Sequence, residues 1–286
     1  MTITEIRKKY HQRICHDIIR IVKKTGASDY PNNADGSNTA SKEIAWQIVK
    51  LIGCQPQYGR ISGQTAGNLF EIITKDFLQE AFELLQHLRP GRWVYAVNTA
   101  ISDFDQYEDL AKIEAVVKSY RELATTLGQD YIISPDITIA REPVPDEEIN
   151  RRQPLITEHD RIAQLTPLRK HHTEEQKPIL HASISCKWTL RSDRAQNTRT
   201  EALNLIRHRK GKLPHIVAVT AEPTPIRIAS LALGTGDIDC VYHFALDELK
   251  QGVETIRNED QLEMLNMLIE GRRLRDISDL PFDLAA

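Results

Sequence analysis

Residues 185–201 read Ser-Cys-Lys-Trp-Thr-Leu-Arg-Ser-Asp-Arg-Ala-Gln-Asn-Thr-Arg-Thr-Glu. They close an alternating run from Leu180 to Trp188. Leu180, Ala182, Ile184, Cys186 and Trp188 share one parity, and His181, Ser183, Ser185 and Lys187 share the other. Alternation with period two predicts a strand with Lys187 on its polar face and Cys186 and Trp188 turned to a core. Past the strand, Arg191-Ser192-Asp193-Arg194 sets two guanidiniums around one carboxylate. The polar stretch Thr198–Glu201 then opens the apolar run Ala202, Leu203, Leu205, Ile206, which predicts a helix start at that point. A strand feeding a helix through a short connection is an α/β unit.

The chain has 286 residues, 41% hydrophobic and 27% charged, values ordinary for a soluble globular protein. One α/β domain accommodates that length with insertions. No apolar run reaches membrane-spanning length, and the N-terminal MTITEIRKKYHQRICHD has charges where an export signal needs its apolar stretch. Cys15, Cys54, Cys186 and Cys240 are far apart with no CxxC pair, which fits a reducing cytoplasm and argues against zinc. Net charge is −3, but Lys187, Arg191, Arg194, Arg199, Arg207, Arg209, Lys210 and Lys212 face only Asp193 and Glu201 between residues 185 and 213. Such a basic stretch on an acidic chain suits phosphate contact at one face, or is a solvated helix and loop.

Working outward, residues 3–25 read as a helix capped by Gly26, and Ser41 caps a second helix through Ile44, Ile48, Leu51 and Ile52. Gly59–Gly67 is a loop containing Gln64. A long helix follows on Leu69, Ile73, Phe77, Ala81, Leu84 and Leu88, with Glu71 in its first turn as a possible helix-dipole carboxylate. Trp93–Val97 is a strand, and Leu110–Leu127 a helix. Tyr131–Ala140 alternates with Asp136 on the polar parity, and Pro135 marks an edge or a bend. Residues 142–178 form a polar insertion with at most a short helix around 158–165. Its His171-His172 pair reads as surface, since adjacent side chains diverge and no partner has ligand spacing. His215–Thr220 and Ile238–Phe244 are strands, Ile226–Leu233 is a short helix with Arg227 near its start, and Gln261–Ile269 is a closing helix. The whole predicts a mixed sheet flanked by helices in a single domain, 1–286.

Asp136 and Lys187 each lie on the polar face of a strand, and neighbouring strands bring such a carboxylate and ammonium to one rim. Glu201 and Glu71 offer further carboxylates. Phosphodiester hydrolysis needs an activated water, charge stabilisation at the phosphate and help for the leaving alkoxide, which Mg²⁺ held by carboxylate oxygens supplies.

Pro135-Asp136, Ser185-Cys186-Lys187 and Glu201 together resemble the PD-(D/E)XK nucleases. More narrowly they resemble the Type II (Type IIF) restriction endonucleases that read CCGG-centred palindromes. That group lacks the acid two residues before the lysine, where Ser185 stands here, and uses a glutamate on the following helix. The resemblance implies that Asp136, Glu201 and the Cys186 backbone carbonyl hold Mg²⁺, two ions per site, with Lys187 at the attacking water and Ser185 and Glu71 completing the catalytic set. It implies that Arg191, Asp193 and Arg194 read the inner CCGG, Gln64 approaches the minor groove, and Asp35, Ser37 and Arg227 read the outer pair of GCCGGC. Arginine suits guanine O6 and N7, and aspartate accepts from cytosine N4. Cleavage leaving 5′-phosphates and a 5′ overhang is implied, as are a cytoplasmic homotetramer of two dimers on double-stranded DNA and a separate cognate methyltransferase.

Two other readings of the residues stand beside this one. A non-catalytic sequence-specific DNA-binding protein would use Asp136 and Lys187 only as an ion pair, and a metal-dependent hydrolase would act on small phosphate substrates. Mg²⁺-dependent cutting of a plasmid at discrete sites separates the first from nuclease action, and activity on a small phosphodiester but not on duplex DNA marks the second.

Overall fold

Ile137 to Ala140 are buried in succession, and so are Leu180 to Ile184. Strands that bury both faces belong inside a sheet covered on both sides. These two are interior strands of the main sheet in the computed structural model, which describes residues 1–23, 28–119, 133–157, 159–170, 176–234 and 236–286. For 114, 118 and 192–194 the description extends to the backbone alone.

In chain order the elements are α1 (Ile3–Asp17), β1 (Arg20–Val22), β2 (Tyr30–Pro31), α2 (Thr39–Leu51), β3 (Gln57–Tyr58), α3 (Gly63–Glu83) and β4 (Trp93–Val97). Then come 3-10 turns at Ile101–Asp103 and Asp105–Tyr107, α4 (Glu108–Ser119), β5 (Ile137–Arg141), α5 (Asp146–Ile149), β6 (Ile179–Lys187), α6 (Ser192–His208) and β7 (His215–Thr220). The chain finishes with α7 (Pro225–Ala232), β8 (Cys240–His243), α8 (Leu246–Ile256), α9 (Glu259–Glu270), β9 (Leu274–Asp276) and α10 (Leu280–Ala285). The main sheet has the order β4-β5-β6-β7-β8-β9. β4, β5 and β6 pair antiparallel, whereas β6 to β9 pair parallel. Parallel neighbours need crossovers, which α6, α7 and the α8–α9 pair provide. This is the mixed, helix-flanked sheet that the alternating pattern predicts.

α3 covers one face, where Phe70 meets Trp188 edge-on at 5.4 Å. α6 covers the other, where Thr198, Glu201, Ala202 and Leu205 approach Ser183 and Ser185. One contiguous apolar core includes residues of α1, α2, α3 and the main sheet. The polar parity of β6 holds from Ser183 to Lys187 but fails at His181. Ile139 pairs with Ala182 and Ala140 with Leu180, so His181 is the extra residue of a β-bulge. The bulge turns it to the α3 face, where its ring lies 4.8 Å from Trp93 and 6.3 Å from Phe82 and its Nε2–H donates to the Leu284 carbonyl at 2.8 Å. Burial lowers its pKa to about 3, so the ring is neutral.

Several sequence-predicted boundaries shift. α1 stops at Asp17, because the β-branched run Ile18, Ile19, Ile21, Val22 continues into β1, which pairs with β2 and β3; Gly26 lies outside the described residues. Asn38, not Ser41, caps α2, accepting from the Ser41 N–H at 2.9 Å. α3 begins at Gly63 with Ser62 as cap, so Gln64 is helical, Glu71 lies well beyond the first turn, and Leu84 and Leu88 are past the helix and exposed. Asp136 is at a bend and β5 starts only at Ile137, so Pro135 marks the bend and not an edge; β5 is interior. On α4, Leu110 and Val117 are buried but Ile113 is exposed, and 120–127 lie outside the described residues, as does Tyr131. The insertion has no helix among its described residues 159–165. It is held by the buried pair Arg169–Asp146, with N–O distances of 2.8 and 2.6 Å. His171-His172 lie outside the described residues. α6 begins at Ser192, so Glu201 sits along the helix and not at its start. Residues after Ile269 add β9 and α10. Cys15 and Cys54 form a disulfide, with Cα atoms 5.5 Å apart, against the expectation of unpaired thiols; their sequence distance hides that one lies in α1 and the other just past α2. No described helix is long and apolar enough to cross a membrane.

The Phe70→Ala substitution removes a fully buried ring from the α3–sheet contact. It is expected to cost about 3–5 kcal/mol of folding free energy, measured by urea denaturation. A loss below about 1 kcal/mol would mean that α3 is not packed as described.

Candidate active site

Asp136 at the entry to β5 and Lys187 at the end of β6 meet because the two strands pair antiparallel, with Ile137 opposite Ile184. Three consecutive residues of β6 donate to one carboxylate oxygen. Asp136 Oδ2 accepts the Cys186 N–H at 2.7 Å, the Lys187 ammonium at 2.8 Å and the Ser185 hydroxyl at 3.3 Å. Among the described residues none donates to Oδ1. The ion pair is mostly shielded, at 19% exposure for the lysine side chain and 20% for the aspartate. Burial works against the Lys187 charge, but the Asp136 charge, their hydrogen bond and the charge of Glu201 together raise its pKa.

Glu201 arrives from α6 and Glu71 from α3, the helices on the two faces of the sheet. Both have raised pKa values. Burial is the main cause for Glu201, with Asp136 adding and Lys187 opposing. Burial also leads for Glu71, followed by the Asp136 charge. Three carboxylates thus surround one ammonium, an anionic excess in the place where a phosphate would have to lie. An all-oxygen donor set of that charge fits a hard divalent cation, which needs only one or two carboxylates and keeps its waters. The described residues form no cluster of three or more His, Cys, Asp or Glu placed to close on a metal by themselves.

Asn98, which the sequence pattern did not single out, links two of these groups. Its backbone N–H donates to the Asp136 carbonyl at 3.2 Å and its Nδ2 to Glu71 at 3.3 Å. It does so from the left-handed region, φ 53°, which asparagine tolerates better than most residues. That tolerance, just past β4, was the only available signal.

Three of the predicted reading residues, Asp35, Arg191 and Arg227, line a neighbouring cleft of about 730 Å³, together with Gly36. Arg227 is ion-paired with Asp35 across it. Asp35 also accepts from the Ser37 hydroxyl at 2.6 Å and the Ser37 N–H at 2.9 Å, and these bonds, with Arg227, lower its pKa to about 2. Tyr30 packs so close to Gly36 that a Cβ there would overlap its ring. Arg191 is exposed at the N-cap of α6, so the Arg-Ser-Asp-Arg stretch is a helix entry and not the predicted loop. Asp193 and Arg194 fall in the first turn of α6, and their side chains lie outside the described residues. Gln64 is exposed on the first turn of α3, the helix that carries Glu71. The structure therefore brings Asp136, Ser185, Cys186, Lys187, Glu201 and Glu71 to one rim, and Asp35, Arg191 and Arg227 to the cleft beside it, with Ser37 bonded to Asp35.

A mixed sheet with a carboxylate–lysine pair where its antiparallel half meets its parallel half defines a restriction-endonuclease-like α/β protein. Residues 10–286 match the family described as NgoMIV restriction enzyme. The chain is 49% identical over 287 aligned positions to the Type II restriction enzyme NgoMIV of Neisseria gonorrhoeae, covering 99% of this chain and 98% of that protein. Among solved structures, a PspGI restriction endonuclease–substrate DNA complex aligns at 14% identity over 99% of this chain and 92% of that one, with TM-score 0.37. The Type IIF endonuclease Bse634I with cognate DNA aligns at 15% identity over 96% and 99%, with TM-score 0.36. At TM-scores this low the solved chains add nothing to the assignment, which rests on sequence. The chain belongs to the NgoMIV restriction enzyme family, and is by class a Type II restriction enzyme.

Asp136→Ala and Lys187→Ala are each expected to lower DNA cleavage on the order of 10²–10⁴-fold while duplex binding persists. Asp136→Ala should bind as tightly as wild type, or more tightly, in EDTA, since one carboxylate has left the phosphate path. Cleavage and gel-shift assays on the same preparations check both; near-normal cutting by the two variants would exclude this rim as the active site.

Proposed function

We propose that the chain cuts both strands of a CCGG-centred palindrome, GCCGGC, in a Mg²⁺-dependent reaction that leaves 5′-phosphates and a 5′ overhang. The observation that carries this reading is the convergence of Cys186 N, Lys187 Nζ and Ser185 Oγ on Asp136 Oδ2, between two further carboxylates. Asp136 and Glu201, with the Cys186 carbonyl, would hold Mg²⁺. Bound there, the ion supplies charge neutralisation at the phosphate and a more acidic water. Lys187 keeps its proton, held by Asp136, and offers a fixed positive charge to a non-bridging phosphate oxygen and to the attacking water. Ser185 and Asn98 orient Asp136 and Glu71, so these carboxylates need no rearrangement when DNA arrives.

The cleft carries the readout. Arg191, Asp193 and Arg194 would read the inner four base pairs from the entry of α6, and Gln64 would approach the minor groove. Arg227, Asp35 and Ser37 would read the outer pair once the Arg227–Asp35 ion pair opens, so in the free protein these readers satisfy one another. A palindrome has two-fold symmetry, so a dimer places one active site on each strand. We extend this to a homotetramer of two such dimers, each protomer a single endonuclease domain with the 142–178 insertion, working in the cytoplasm beside a separate methyltransferase.

The deciding experiment digests plasmids with and without GCCGGC in Mg²⁺ or EDTA and maps the ends. Cutting at that site in Mg²⁺ alone is expected, and discrete cutting elsewhere would replace the target but keep the enzyme. Arg191→Ala should lose about 1–3 kcal/mol of binding to the specific duplex and little to an unrelated one. An equal loss on all sequences would make Arg191 a phosphate contact.

A further inference from the structure

Thr220-Ala221-Glu222, where β7 ends, contributes no side chain to the site described above, yet that site is bonded to it from four directions. Thr220 Oγ1 donates to the Lys187 carbonyl at 2.8 Å, and the Ala221 N–H donates to the same oxygen at 3.3 Å. The Ala221 carbonyl accepts Asn33 Nδ2 at 3.1 Å, from the loop that holds Asp35. Glu222 accepts the N–H of Leu190, the residue before Arg191, at 3.0 Å. Its other oxygen accepts the Thr224 N–H at 3.2 Å and the Thr224 hydroxyl. Thr224 caps α7, and its carbonyl receives the Arg227 N–H at 3.0 Å. With the Arg227–Asp35 ion pair and the two peptide links from Asp35 to Asn33, these bonds close a circuit from Glu222 through Thr224, Arg227, Asp35 and Asn33 back to Ala221.

Glu222 is fully buried, as is Thr220. A buried carboxylate is an expensive way to end a strand unless its donors need that particular acceptor. Here one oxygen serves the segment leading to Arg191 and the other serves the helix that carries Arg227.

We propose that Glu222 is a positioning residue for recognition: it sets Arg191 and Arg227 relative to each other, so that inner and outer bases are read as one unit, referenced through Thr220 to Lys187. This rests on the proposed nuclease function. A Glu222→Gln substitution keeps the shape but replaces one acceptor by a donor, which faces another donor. The restraint on one of the two arginine-bearing segments is then lost.

The test measures binding of the full-length protein by fluorescence anisotropy in EDTA, using a GCCGGC duplex, one with the outer pair changed, one with an inner pair changed, and an unrelated duplex. Glu222→Gln is expected to weaken binding to the GCCGGC duplex about tenfold and to leave the unrelated duplex unchanged. The energetic coupling between Arg191→Ala and Arg227→Ala, present in the wild-type background, should also vanish. Uniform weakening on all four duplexes, or an unchanged preference with coupling intact, overturns the proposal. If Glu222→Gln fails to fold by circular dichroism, Thr224→Ala, which removes the hydroxyl donor and the methyl, decides together with Thr224→Ser, which removes the methyl alone: a reduced preference restored by Thr224→Ser supports the proposal, and an unchanged one overturns it. A wild-type protein that does not distinguish the duplexes would bring down the function and this inference together, whereas failure in the variants alone brings down only the inference.

Discussion

One oxygen of Asp136 receives a backbone N–H, a hydroxyl and an ammonium from three successive residues, and the arrangement of the sheet depends on that junction. It ties the end of β6 to the bend at Asp136, one residue before β5 begins. The antiparallel pairing of β5 and β6 aims the two strand ends at each other. The parallel crossover that follows sends α6 back over the rim, and α3 closes it from the opposite face. One ammonium and three carboxylates are thereby concentrated at the rim between the two helices.

That edge is held together by unequal partners. The Asp136–Lys187 pair is well compensated, whereas Glu71 and Glu201 are burdened by burial and by the neighbouring aspartate. A core built for stability alone would discard such groups, because buried like charges raise each other's energy. The rim carries more carboxylates than the single Lys187 ammonium can balance.

The sequence carried much of this arrangement, and what it lacked has physical causes. Lys187 and Ser185 were legible because β6 alternates, and Trp93–Val97 and His215–Thr220 are strands with the bounds their apolar runs suggest. The start of α6 was hidden because Arg191 makes no side-chain cap bond, so the charged entry resembled a loop. β1, β2 and β3 are too short to show a period. α8 did carry a stripe, Leu246, Leu249, Val253 and Ile256, that escaped notice beside its charged residues. Asn98 and Glu222 act through backbone geometry and long-range hydrogen bonds, and no spacing in the chain announces either.

The extra residue at His181 stands between two fixed points. Below it, Gln106 clamps Leu180 through both amide atoms, at 2.7 and 2.9 Å; above it, Ile184 is locked opposite Ile137. The pairs flanking it, Ile139 with Ala182 and Ala140 with Leu180, are consecutive on β5, so His181 lengthens β6 alone, and the phase of Lys187 is set by the Ile184–Ile137 pair above it. What the surplus residue adds is a ring. It places a neutral imidazole against Trp93 and Phe82 without costing β5 a partner, and a strand shortened by that residue would lose the packing while keeping the register of the ammonium.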